Sequence, residues 1–211
     1  SHLTEKGNQK STTGYEMLKW VSNDPAQQES GQGTTANPIF RTAEAMLIYL
    51  EAYYEKNRSL DGNCDTYWRK LRNRAGVDEN YQNTINATDL SQENDLAAED
   101  PDVDATLYNI RRERRCELYA EGMRLDDLKR WRVLDYMQDY QVEGINLWTE
   151  MYELWGNGVL EEGTMVSSSG LSEYLRPLQI ASTLPTYSNG YNFPKPHYLE
   201  PIPISEFLLA V

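Results

Sequence analysis

Glutamate recurs at four-residue intervals as Glu113, Glu117 and Glu121 inside the run Ile110–Trp131. At helical pitch, positions i, i+4 and i+8 form one stripe, so three like charges face the same way and repel unless cations answer them. Arg111, Arg114, Arg115 and Arg124 are close in sequence, and Arg41 and Glu44 belong to an earlier helical segment. Bidentate arginine–carboxylate pairs would clamp this helix to the helices before and after it. A chain carrying such a stripe is expected to be mainly α, with the stripe enclosed between helices. Paired carboxylates can also serve as acid and base in glycoside hydrolysis. The structural reading is preferred here: Arg41, Glu44, Glu113, Arg114, Glu117, Glu121 and Arg124 form an ion-pair network, and no catalytic residue is assigned.

Apolar spacing places the remaining helices. Asn37-Pro38 reads as a cap followed by proline in the first turn. Ile39, Ala43, Met46, Leu47, Leu50 and Tyr54 then follow at helical intervals to about Lys56, with Arg41, Glu44, Glu51 and Glu55 filling the polar side. A second helix fits Asp65 to Ala75, with Trp68 and Leu71 inward and Gly76 as its left-handed stop. Residues 77–100 read as a polar loop. Asp100-Pro101 repeats the cap-and-proline signal for a third helix carrying Leu107, Ile110 and Leu118 inward, which Gly122 ends or kinks. A fourth runs from about Leu125 to Met137, with Leu128 and Trp131 inward. Tyr15–Val21 is strand-like, and the proline-rich end (Pro194, Pro196, Pro201, Pro203) is expected to be extended. The chain is divided as one region: an irregular arm over 1–37, a helical core over 38–137, and a variable loop region with a closing segment over 138–211.

Charge and composition exclude several functions. The 211 residues carry a net charge of -13, a field that opposes phosphate binding, so nucleic acid is not an expected partner. Two cysteines, Cys64 and Cys116, make no disulfide framework and read as free thiols. No run approaches the apolar length of a membrane span. The only histidines are His2 and His197, without a zinc-ligand spacing or a G-x-S-x-G elbow. Asp100, Asp102 and Asp104 imitate the start of a calcium loop, but Ala105 and Arg111 stand where that loop needs glycine and glutamate. No metal and no cofactor is expected.

Aromatics are the remaining candidates for ligand contact. The chain has 15 Tyr and 5 Trp against 3 Phe, and these two types join a flat apolar face to a polar handle. Sugar rings stack their C–H faces on such surfaces. Trp148, Tyr152 and Trp155 share one helical face in the variable region and are the first choice. Tyr81, among Asn80, Gln82 and Asn83, is the second; Tyr187 and Tyr191, with Asn189 and Asn192, are the third.

Four segments, in order, resemble the SusD/RagB family. Pro38-Ile39-Phe40-Arg41-Thr42-Ala43-Glu44-Ala45-Met46-Leu47-Ile48-Tyr49-Leu50-Glu51-Ala52 resembles its P-x-x-R-x-A-E-x-x-L-x-Y-x-E-A helix. Leu71-Arg72-Asn73-Arg74-Ala75-Gly76 resembles V-R-x-R-A-G, and Ile110 to Trp131 resembles I-x-x-E-R-x-x-E-L-x-x-E-G-x-R-x-x-D-L-x-R-W. Tyr198-Leu199-Glu200-Pro201-Ile202-Pro203 resembles the closing Y-L-x-P-I-P. The resemblance implies tetratricopeptide-like helix pairs with long irregular loops that form the ligand surface. It implies a surface-exposed, lipid-anchored outer-membrane protein of the Bacteroidota that binds glycan, or in some members peptide, without cleaving it. The implied partner is a SusC-type TonB-dependent transporter. The family's lipidated cysteine and early helix pairs have no counterpart here, so this chain is expected to be the later part of a longer protein. The alternatives are a helical-repeat module that binds protein or peptide, and a glycoside hydrolase.

Overall fold

The structure is a computed structural model, and it describes residues 13–27, 30–36, 38–156, 160–162, 166–179 and 188–199. Two compact units are formed: one by 22–136, the other by 1–21 together with 137–211. The described residues are mainly helical and contain no sheet, which is the expected fold class.

The helical unit holds α1 (Thr42–Asn57), α2 (Gly62–Ala75), α3 (Tyr81–Ala87), α4 (Ala105–Glu117) and α5 (Arg124–Arg130). α1 packs on α2 and α4, and α3 packs on α2 and α4. Leu47 and Leu50 of α1, Trp68 and Leu71 of α2, Tyr81 of α3, and Leu107 and Ile110 of α4 meet in one core with Cys64 and Leu118. Full burial of one such leucine or isoleucine contributes about 1.5–3 kcal/mol, so the helix pairs are held by their shared apolar stripe.

Helix ends differ from the expectation in instructive ways. α1 begins at Thr42, after Arg41 in extended backbone, rather than at Pro38; Asn37 lies outside the described residues. Ile39 is correspondingly 79 % exposed and plays no part in the stripe. α2 starts three residues earlier than expected because Asp61 caps it, its Oδ1 accepting from the Cys64 amide at 2.7 Å. Its C-terminus does close on Gly76 at φ 72°. α4 is capped by Asp104, whose Oδ1 accepts from the Leu107 amide at 2.8 Å, not by Asp100. Asp100 instead accepts from Arg111 Nη1 at 2.7 Å. The fourth expected helix stops early, because Arg132 takes a left-handed φ of 58° and only a short 3-10 turn, Leu134–Tyr136, follows. The polar stretch 77–100 is not one loop. It contains α3, whose Tyr81 anchors an otherwise polar helix in the core.

The second unit is irregular. Its described residues hold isolated bridges, Tyr140–Tyr191, Asn146–Tyr174 and Glu162–Val166, around a small core of Leu147, Leu160, Val166 and Leu175. Tyr15–Val21 is not a strand; Trp20 sits at φ 73° in a turn. The proline-rich end makes one 3-10 turn at Lys195–Tyr198, and 200–203 lie outside the described residues. Gly144 is required by close approach: a Cβ there would stand 2.2 Å from the Thr13 carbonyl oxygen. That contact lets the Ile145 amide donate to the same oxygen at 2.9 Å.

Candidate functional site

The three glutamates are enclosed and paired, but α4 ends at Glu117, so only Glu113 and Glu117 share the helix and Glu121 lies just after it. Arg41, just ahead of α1, donates Nη1 to Glu117 at 2.7 Å and grips Glu121 with Nε at 2.8 Å and Nη2 at 2.7 Å. Burial opposes the Arg41 charge, but its hydrogen bonds to Glu121 and Glu117 outweigh burial and hold the proton more firmly than usual. Glu117 also pairs with Arg74 of α2. Glu113 accepts from Arg72 Nη1 at 2.9 Å and from the Trp68 indole at 3.0 Å. Arg114 holds Asp127 of α5 through Nε at 2.9 and 2.8 Å, and Arg124 pairs with Asp95. Every glutamate of the stripe therefore meets a guanidinium, and α4 is tied to α1, α2 and α5. Glu44 has no ion-pair partner among the described residues, which corrects its place in the network; it sits half-buried on α1.

Three acids essential to this bracing were not singled out from the sequence. Glu51, read as polar filler, is only 3 % exposed on the buried stripe of α1. It accepts from Arg130 Nη1 at 2.8 Å, Arg130 Nη2 at 2.5 Å and the Trp131 indole at 2.5 Å. Its spacing from Leu47 and Tyr54 was the available signal. Asp95 and Asp127 are equally buried, between Arg115 and Arg124 and between Arg114 and Arg130 respectively. The three aspartates that imitate a calcium loop are used in hydrogen bonding: Asp100 to Arg111, Asp104 to the α4 cap, and Asp102 through its amide to Asp100.

The aromatic candidates fall in different places. Tyr81 is corrected out of the ligand set. It is 4 % exposed, stacked on Trp68 at 4.3 Å with 1° between ring planes, and covered on Arg69 at 5.5 Å. Its hydroxyl donates to Asp65 at 2.9 Å. Burial pushes that phenol up from its ordinary value, with the Asp65 hydrogen bond adding to it. No face is left for a sugar. Tyr187 and the side chain of Trp155 lie outside the described structure.

Trp148 and Tyr152 are brought together in the irregular unit, their ring centroids 4.8 Å apart and tilted by 50°. Tyr152 opens one wide turn of π-helix, Tyr152–Gly156, in place of the regular helix expected. Both pack against the small core, which fixes the pair. The Trp148 indole N–H is buried and has no hydrogen-bond partner. Nearby in chain pairing, Asn146 donates to Glu173 Oε2 at 3.0 Å while its own Oδ1 is buried without a partner. Buried polar atoms are normally satisfied, so the indole N–H of the pair and the Asn146 Oδ1 of the same unit are exceptions. Met151 and Leu154, close by in sequence, are exposed. Tyr191 sits elsewhere in the unit, exchanging amide–carbonyl bonds with Tyr140 at 3.1 and 2.8 Å and leaving both rings part-exposed. Asn146 and Tyr140 were missed because their roles arise from bridges between distant segments, for which the local pattern holds no period.

One unit is thus a set of helix pairs cross-braced by buried ions, and the other an irregular unit with a half-buried aromatic pair. The chain belongs to the SusD family, whose profile matches residues 1–208. Searches of curated proteins and of solved structures found no match. The family's general role is glycan binding in nutrient uptake, by proteins that are generally non-catalytic and associated with the outer membrane at the cell surface. Among the described residues, no helix is long and apolar enough to cross a membrane.

Proposed function

We propose that this protein binds glycan at the bacterial surface without cleaving it and hands it to a SusC-type TonB-dependent transporter. The observation that carries this reading is the Trp148–Tyr152 pair, whose indole N–H has no hydrogen-bond partner. A sugar needs both an aromatic face for its C–H groups and donors and acceptors for its hydroxyls. The glutamates most suited to acid–base chemistry are instead engaged by arginines, which supports binding over hydrolysis. Lipid anchoring and the transporter partnership follow from family membership alone and are part of the same proposal.

Affinity electrophoresis against a panel of polysaccharides tests it, with reducing-sugar release measured in parallel. Retardation by at least one polysaccharide without sugar release is expected. Trp148→Phe keeps the ring and its packing but removes the indole N–H, and Tyr152→Ala removes half of the platform. Both should weaken retardation while leaving the melting temperature within a few degrees. Undiminished binding in both variants would move the site away from this pair.

A further inference from the structure

The aromatic pair sits in a stretch of one-sided charge. From residue 138 to residue 194 the only lysine or arginine is Arg176, against Asp139 and six glutamates. Arg176 is already held by Glu143 at 2.7 Å. Six carboxylates are left, with no second cation in the stretch. The other described cations of this unit lie outside it: Lys19 stands over the Trp20 ring at 5.2 Å, and Lys195 belongs to the closing 3-10 turn.

Three of these carboxylates belong to residues beside the pair. Glu153 follows Tyr152 directly. Glu150 is two residues from both Trp148 and Tyr152, so its Cα is within about 7.6 Å of theirs. Glu173 comes from a distant segment, and its carbonyl oxygen lies 3.5 Å from the Trp148 amide nitrogen. All three glutamates are exposed, and Glu173 Oε2 accepts from the Asn146 side-chain amide at 3.0 Å. Charges at an aqueous surface act over about 8 Å at physiological salt and about 30 Å at 0.01 M, so a molecule on the two rings feels all three.

A sugar hydroxyl can donate to such carboxylates and accept from the Trp148 indole N–H, whereas a carboxylate or sulfate on the sugar meets only repulsion from them. Three unit charges about 8 Å away weaken a singly charged group by about tenfold at 0.01 M salt and about threefold at 0.15 M. Resting on the glycan reading, we infer that the aromatic pair admits uncharged glycans and turns away those bearing carboxylate or sulfate groups. Glu150, Glu153 and Glu173 are the residues that discriminate.

Titration calorimetry of the full chain tests this with starch, xyloglucan, galactomannan and arabinan as neutral probes and polygalacturonate, alginate and hyaluronan as anionic ones. Binding by one or more neutral probes and by no anionic probe is expected. The neutral polysaccharide that binds is then lightly carboxymethylated, with a hydroxyethylated sample as the control for bulk. The carboxymethyl form should bind about tenfold more weakly than the hydroxyethyl form at 0.01 M salt, and about threefold more weakly at 0.15 M. Glu150→Gln, Glu153→Gln and Glu173→Gln combined should close most of that gap. Glu79→Gln, Glu99→Gln and Asp126→Asn combined remove as much charge from exposed positions of the helical unit, and should leave the gap open. An anionic probe that binds as tightly as the neutral ones, or a gap that both combined variants close equally, overturns the selectivity while the glycan reading stands. Binding by none of the probes removes that reading and the selectivity with it.

Discussion

Glu51 offers the sharpest test of the bracing. It sits mid-way along α1 at 3 % exposure and accepts from Arg130 and the Trp131 indole, with the Arg111 guanidinium an ion-pair partner at 3.6 Å. Glu51→Ala removes the acceptor for Arg130 and Trp131 and a counter-charge for Arg111. Breaking a buried pair from one side costs about 3–5 kcal/mol because a charge is left behind uncompensated. Two of the cations have other recourse: Arg111 keeps Asp100 and Glu55, and Arg130 is 44 % exposed and keeps Asp127. The buried Trp131 N–H has none, a penalty of about 1–3 kcal/mol. The expectation is therefore the lower part of that range, about 3 kcal/mol, or on the order of 6–12 °C in melting temperature for a protein of this size. Glu51→Gln, which keeps an acceptor but loses the charge, should cost about half as much. Arg130→Ala should cost no more than about 1 kcal/mol, since its exposure screens the pair and Trp131 still satisfies Glu51. Urea unfolding followed by far-ultraviolet circular dichroism reads all three, provided the slope is unchanged. A Glu51→Ala loss under about 1 kcal/mol, or one matched by Arg130→Ala, would refute the idea that the brace is anchored at this carboxylate.

Further expectations follow from single features. Cys64 is fully buried, and burial pushes its thiol up to about 11; Cys116 is exposed. One thiol should react with an alkylating reagent in the native protein and two after denaturation, as counted by mass spectrometry. Two thiols labelling at similar rates would contradict the packing of α2. The Asp61 carboxyl is held below its ordinary value chiefly by the Cys64 amide. A depressed folded value means its stabilisation is complete above about pH 5 and is lost as pH falls below about 4. Asp61→Asn keeps the cap and should flatten that part of the acid dependence of the urea midpoint; an unchanged acid slope would assign it to other carboxylates. Gly144→Ala forces a methyl into the Thr13 carbonyl, and overpacking of this kind costs about 1–3 kcal/mol. Hydrogen exchange at the Ile145 amide should accelerate markedly, and unchanged protection would show that the approach is looser than described.

What the sequence made legible follows from where its signals are local. The buried stripe of α1, the Gly76 stop and the answered glutamates could be read because spacing and charge sign are properties of neighbours along a helix. Glu51 could not, because its partners Arg130 and Trp131 are distant from it in sequence, at the end of α5. Tyr81 looked like a ligand residue for the same reason: its asparagine-rich surroundings suggested a loop, while its position was decided by stacking on Trp68. The end of α5 was misplaced because nothing about Arg132 announces a left-handed residue. In the irregular unit, composition pointed to Trp148 and Tyr152, yet the segments around Thr13, Asn146 and Tyr174 are joined by long-range bridges that no window of sequence contains.

The link from the Ile145 amide to the Thr13 carbonyl has a bearing on how the protein is made. Thr13 leaves the ribosome before α1, whereas Ile145 emerges only after α5 has been synthesised. Domains tend to fold as they appear, and contacts between distant residues form slowly. The helical unit, whose residues are continuous from 22 to 136, can close on itself while the leading segment still waits for its mate. Interrupting translation shortly after Tyr136 should therefore yield helices that resist protease and a leader that does not.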